Sequence, residues 1–233
     1  MSELLRADTQ YKENAQSYNK KEGTSALVLF ALDVLLYVLL GFTYKYAEFV
    51  PLFLVQAANY IVMFASTLFC IFFVVVGKRK LSTVGLQKTN WLKSLLLGLA
   101  LGLIITVINS IVSFASGATT FNAAQLGMPM LIFFLSACAE ELVYRGYIFT
   151  RLRGLFRSEG VSVLISGILF ISCHLPVKFI IGGAWSATLP ESILRWFLLH
   201  LVCTFAYRKY NSLIAPILFH FFYNLSLALF VVA

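Results

Sequence analysis

The sequence predicts an all-α protein, a polytopic bundle of about seven transmembrane helices with a cytoplasmic N-terminus. Three observations carry that reading. Of the 233 residues, 60% are hydrophobic and 12% charged, about half the charged share of an ordinary soluble domain. The mean hydropathy is +0.87, so lipid is the solvent such a chain requires. Apolar stretches near the roughly 20 residues needed to cross a hydrocarbon core recur along the chain, and the basic residues between them alternate in number from gap to gap.

The first 24 residues are polar and mixed in charge. No basic stretch leads into a short apolar core with a small-residue cleavage site, so this segment reads as a cytosolic tail rather than a removable signal. The rest, 25–233, reads as one transmembrane domain with no internal repeat. Spans are expected at 26–43, 52–76, 94–114, 127–150, 161–180, 190–208 and 212–232. The first carries Asp33 and the second has no charge. Between the second and third, 77–93 is too polar to cross; with Leu81, Val84, Leu86 and Trp91 it suits either the membrane surface or a plain connecting loop. In the third, Gly98 and Gly102 form a small-xxx-small pair that lets a neighbouring helix approach. The fourth to seventh carry almost all of the remaining ionisable groups within spans.

Lys and Arg set the orientation. The tail holds Arg6, Lys12, Lys20 and Lys21; the second gap Lys78, Arg79, Lys80, Lys88 and Lys93; the fourth Arg151, Arg153 and Arg157; the sixth Arg208 and Lys209. Lys45 and Lys178 alone fall on the other side. The excess marks the cytoplasmic face, which places the N-terminus inside and the C-terminus outside. The formal charge of +8 is divided among these short gaps rather than gathered in one continuous patch, so no nucleic-acid partner is expected. Cys70, Cys138, Cys173 and Cys203 all lie in apolar runs without a CxxC pair, and are expected to be reduced and packed.

A carboxylate or imidazole in hydrocarbon costs several kcal/mol unless it has a partner or a purpose. All three histidines, His174, His200 and His220, lie in expected spans; of ten acids only Asp33, Glu140 and Glu141 lie deep in one, Glu191 falling at the very start of the sixth. Glu141 and Arg145 are four apart and pair on one helix face. Glu140 points about 100° away and is free to face other helices. Phe170 and His174 share a face at spacing four, as do His220 and Asn224. At 1.5 Å per residue Glu140 lies about 15 Å deep, His220 about 12 Å and His174 about 20 Å, so the three can converge if the helices tilt. His200 and Asp33 match no pattern and read as packing or water-facing groups.

Glu140-Glu141-x-x-x-Arg145, Phe170-x-x-x-His174 and His220-x-x-x-Asn224, in that order on three apolar helices, resemble the CAAX protease and bacteriocin-processing (Abi) family. The resemblance implies a peptidase core at about 127–232 and an intramembrane endopeptidase acting on a membrane-associated peptide or protein, prenylated or leader-bearing. By that resemblance Glu140 activates the attacking water, His174 helps to hold it, and His220 with Asn224 stabilises the oxyanion. Glu141 and Arg145 orient and balance the site, and Phe170 packs beneath His174. A metal-free mechanism with no cofactor is the expectation, because the amide of Asn224 is a poor zinc ligand and a good oxyanion donor. The alternative is a divalent metal such as zinc on Glu140, His174 and His220. A cysteine nucleophile at Cys138 or Cys173 is disfavoured. The bilayer is the other partner, and the plasma membrane of a prokaryote the expected location. Two other classes compete: a non-catalytic immunity or signalling partner that retains the motifs, and a transporter.

Overall fold

The computed structural model describes residues 6–182 and 188–231; residues 1–5 of the tail and the last residue, 232, of the expected seventh span lie outside the described residues. The chain is an all-α bundle. Its helices are α1 (Thr9–Ser17), α2 (Lys20–Lys45), α3 (Leu52–Val76), α4 (Trp91–Ala115), α5 (Met128–Glu141), α6 (Thr150–Phe156), α7 (Glu159–Gly182), α8 (Leu189–Tyr210) and α9 (Ile214–Ala228). Two short strands, β1 (Thr120–Phe121) and β2 (Phe230–Val231), pair antiparallel and tie the end of the chain to the segment after α4. Among the described residues five helices, α2, α3, α4, α7 and α8, are long and apolar enough to cross a membrane. Large apolar side chains are turned outward, Phe64 and Leu103 more than 60% exposed, as a lipid-facing surface requires.

The fourth expected span is not one uniform helix. α5 continues through a π-helical stretch, Leu142–Phe149, into α6, and every residue of the π-helical stretch is buried. The wider turn changes which side chains face the bundle, and such π segments concentrate at functional sites. The seventh span is also shorter than expected, 15 residues in α9.

Gly98 and Gly102 meet α9, as the small-xxx-small spacing anticipates for a close helix contact. A Cβ on Gly98 would stand 2.8 Å from Ala215 Cα and one on Gly102 2.3 Å from the Phe222 ring. Their absent side chains therefore set the α4–α9 spacing, and α9 carries His220 and Asn224.

The tail is docked rather than free. Asp8 caps α1 by accepting from Tyr11 N at 3.2 Å, and α2 begins at Lys20 under a capping box between Asn19 and Glu22, inside the segment expected to be tail. Tyr11 and Tyr18 are buried. The Tyr11 ring stacks on Phe149 and its hydroxyl donates to Glu159 at 3.0 Å. Burial, then the Glu159 carboxylate beside it, holds the Tyr11 hydroxyl protonated well above the usual phenol range.

Of the two readings of 77–93 the structure bears out the connecting loop, which leads into α4 at Trp91 and is packed against the bundle. A 3₁₀ turn at Leu81–Val84 inserts against the π segment. Val84 is fully buried, and its carbonyl would lie 2.7 Å from a Cβ on Gly146. Arg151 donates to the Thr83 carbonyl and hydroxyl at 2.8 and 2.7 Å. Arg79 pairs with Glu22, Arg157 donates to the Tyr18 carbonyl, Arg208 pairs with Glu159, and Asp8 N donates to the Arg208 carbonyl. All four basic gaps thus meet at one end of the bundle.

Candidate active site

Glu140 and Glu141 close α5, His174 lies on α7, and His220 and Asn224 lie one helical turn apart on α9. The bundle brings these three helices together. Glu140 Oε2 stands 3.6 Å from His174 Nε2 and 3.9 Å from His220 Nε2. Both distances exceed a direct hydrogen bond, and Oε2 has no hydrogen-bond partner although it is buried. The other oxygen, Oε1, accepts from Ser136 Oγ at 2.8 Å and from the Tyr37 hydroxyl at 3.4 Å. One oxygen is anchored, and the other is left facing two imidazoles.

Both imidazoles are oriented through their far nitrogens. His174 Nδ1 donates to the Phe170 carbonyl at 2.8 Å, one turn earlier on α7. His220 Nδ1 donates to Glu141 Oε1 at 2.7 Å. A carboxylate and a carbonyl can only accept there, so the tautomer follows from the partner. Each ring therefore turns Nε2 toward Glu140.

Glu141 and Arg145 are fully buried and 2.8 Å apart, the i, i+4 pair that the sequence spacing dictates. Phe170, also fully buried, lies between this pair and His174: the Arg145 guanidinium stands 4.2 Å from its ring centroid and the His174 ring 4.9 Å away, edge to face. Asn224 lines the same cavity as Glu140 and His174, a space of about 350 Å³ that also receives Tyr37, Asn59 and Ser136.

Residues 122–226 match the family model of the Rce1-like type II CAAX prenyl endopeptidases. This segment is a CAAX protease family domain. It contains every group described above except Tyr37 and Asn59, which α2 and α3 contribute from outside the match. No curated protein and no solved structure matches the chain significantly. The apolar helices and the family together make the protein an integral membrane protein.

The CAAX protease domain brings Glu140, Glu141, Arg145, Phe170, His174, His220 and Asn224 to one place, and leaves His200 and Asp33 out of it. His200 is buried between α7 and α8 with Nε2 3.0 Å from the Val163 carbonyl. Asp33 accepts from Ser66 at 2.5 Å and from the Tyr144 hydroxyl at 2.6 Å, bolting α2 and α3 to the π segment. Cys173 Sγ lies 3.0 Å from His174 Nδ1, on the side of the ring away from Glu140, and is fully buried.

Four features of the site were not anticipated from the sequence: Ser136, Tyr37, Asn59 and the Glu141–His220 bond. Ser136 could have been found, since it lies one helical turn before Glu140. Tyr37 and Asn59 carry no pattern that separates them from other polar groups in spans. The Glu141–His220 bond depends on how α9 is rotated, and no local spacing encodes that rotation.

Proposed function

We propose that the protein is an intramembrane endopeptidase of the CAAX type in which Glu140 activates the attacking water. The observation that carries this reading is the half-anchored carboxylate: Glu140 Oε1 is held by Ser136 and Tyr37, while the buried Oε2 faces His174 Nε2 and His220 Nε2. A carboxylate so placed takes a proton from water that His174 helps to position, while the water oxygen bonds to the scissile carbonyl carbon. Negative charge develops on the carbonyl oxygen. His220 and Asn224, on one face of α9, are the donors suited to receive it, a role commonly worth about 3–4 kcal/mol per donor.

Glu141 accepts from His220 Nδ1–H and fixes the ring with Nε2 turned toward the site; the ring serves as donor when Nε2 also carries a proton. Arg145 balances Glu141. On collapse of the tetrahedral intermediate the C–N bond breaks, and the proton held by Glu140 passes to the leaving amine.

Zinc is the alternative. One carboxylate and two imidazoles are a donor set that zinc accepts, and both imidazoles are anchored through the opposite nitrogen, as ligating histidines are. Among the described residues, however, no group of three or more His, Cys, Asp or Glu side chains is arranged to hold a metal ion. The proposed reaction is cofactor-independent.

The substrate proposed is a membrane-associated peptide or protein carrying an apolar chain. A second cavity of about 620 Å³, lined by Tyr60, Phe64, Leu135, Cys138, Leu142 and Ile217, adjoins the first and shares Met63 with it. Its apolar walls suit a prenyl group of the kind named in the family description. By the basic-end rule the N-terminus is cytoplasmic, and the plasma membrane of a prokaryote is the proposed location. Comparing the membrane proteome of cells carrying wild type with that of cells carrying Glu140→Gln tests the function: an uncleaved precursor should accumulate in the variant, and identical proteomes would argue for a non-catalytic partner or a transporter.

A further inference from the structure

Between the basic ends of α2 and α3 lies a cleft of about 520 Å³, separate from both cavities above. Four cationic side chains, Lys21, Lys78, Arg79 and Arg151, line it against one acid, Glu22. Glu22 is consumed by Arg79, which donates to both of its oxygens at 2.7 and 2.9 Å. Arg151 is 1% exposed, yet donates only to neutral oxygens of Thr83, Gly146 and Thr150, with aromatic faces of Tyr18 and Tyr147 on its flanks. Among the described residues no carboxylate pairs with it, nor with Lys21 or Lys78. A buried guanidinium with no directly paired carboxylate, two ammonium groups beside it and a cleft whose four cations face a single acid call for an anion.

The far wall of the cleft is apolar. Phe73 and Val76 line it, and α3 continues outward with the exposed Phe72 and Val75. An anion that also carries a hydrocarbon chain satisfies both halves, because basic pockets between helix ends at a membrane surface select charged headgroups. We propose that this cleft binds an anionic phospholipid, with the phosphate between Lys21, Lys78 and Arg151 and one acyl chain along α3. The proposal is independent of the peptidase reading.

The test uses the full chain in mixed micelles, comparing retained phosphatidylglycerol with phosphatidylcholine by native mass spectrometry. Lys21→Gln/Lys78→Gln removes two cleft charges at exposed positions, and Lys88→Gln/Lys93→Gln removes two charges at exposed positions of the same end outside the cleft. Wild type and the control pair should prefer phosphatidylglycerol by about tenfold or more, and the cleft pair should lose most of that preference. Equal loss in both pairs would assign the effect to diffuse surface charge and overturn the site. Inorganic phosphate is the second probe. It should not displace the lipid at equal concentration, and if it did, the ligand would be a free anion instead.

Discussion

His220 presents Nδ1 to Glu141 Oε1 at 2.7 Å while its Nε2 lies 3.9 Å from Glu140 Oε2. One imidazole thus stands between the two members of the acid pair, whose surroundings differ. Glu141 is fully buried and balanced by Arg145, whereas Glu140 keeps one oxygen free.

Neutralising the two acids should therefore have different consequences. Glu140→Gln should abolish cleavage with little change in melting temperature, because Ser136 can still donate to the amide oxygen. Glu141→Gln should lose both activity and stability, since it strands the buried Arg145, a change that commonly costs about 3–5 kcal/mol. Cleavage rates and thermal unfolding in detergent check the contrast.

Asn224→Ala should lower kcat by about 10²–10³-fold and leave KM nearly unchanged, the signature of a donor that acts on developing charge. Steady-state kinetics on a membrane-inserted reporter peptide measures it. A rise in KM alone would make Asn224 a substrate-binding group.

Phe170→Ala should destabilise the protein by about 3–5 kcal/mol, as large aromatic truncations in a packed core do. The ring supports Arg145 on one side and His174 on the other, so residual activity should fall further than the folded fraction alone explains.

Cys173→Ala should retain cleavage, and thiol-alkylating reagents should not inhibit the wild type. Cys173 is fully buried beside the anchored nitrogen of His174 rather than the free one. Loss of activity in this variant, with the fold intact, would revive the cysteine nucleophile.

Gly102→Val should impair both stability and catalysis, because any side chain at this position enters the Phe222 ring of α9. Overpacking of this kind typically costs about 1–3 kcal/mol, and the helix that must move carries His220 and Asn224.

Much of the site was legible because it rests on short-range geometry. The Glu141–Arg145 pair follows from a spacing of four on a helix, and the three polar motifs stand out against an apolar background where each ionisable group requires a reason. What the sequence concealed depends on tertiary packing. The π segment forms where Tyr144, Arg145 and Gly146 must each meet a different neighbour: Asp33, Glu141 and Val84. The polar composition of the tail gives no sign of its docking, in which Tyr11 and Tyr18 become buried. Tyr37 reaches Glu140 from a helix that carries no motif.

The central claim is that Glu140 is the base for peptide hydrolysis without a metal. Single-turnover cleavage of a lipidated reporter by purified wild type and Glu140→Gln, each treated with a strong chelator, tests it most directly. The account predicts that chelated wild type cleaves at its untreated rate, and that Glu140→Gln, equally folded, loses at least about 10³-fold. A wild type silenced by the chelator and restored by zinc, or a Glu140→Gln variant within a few fold of wild type, would contradict it.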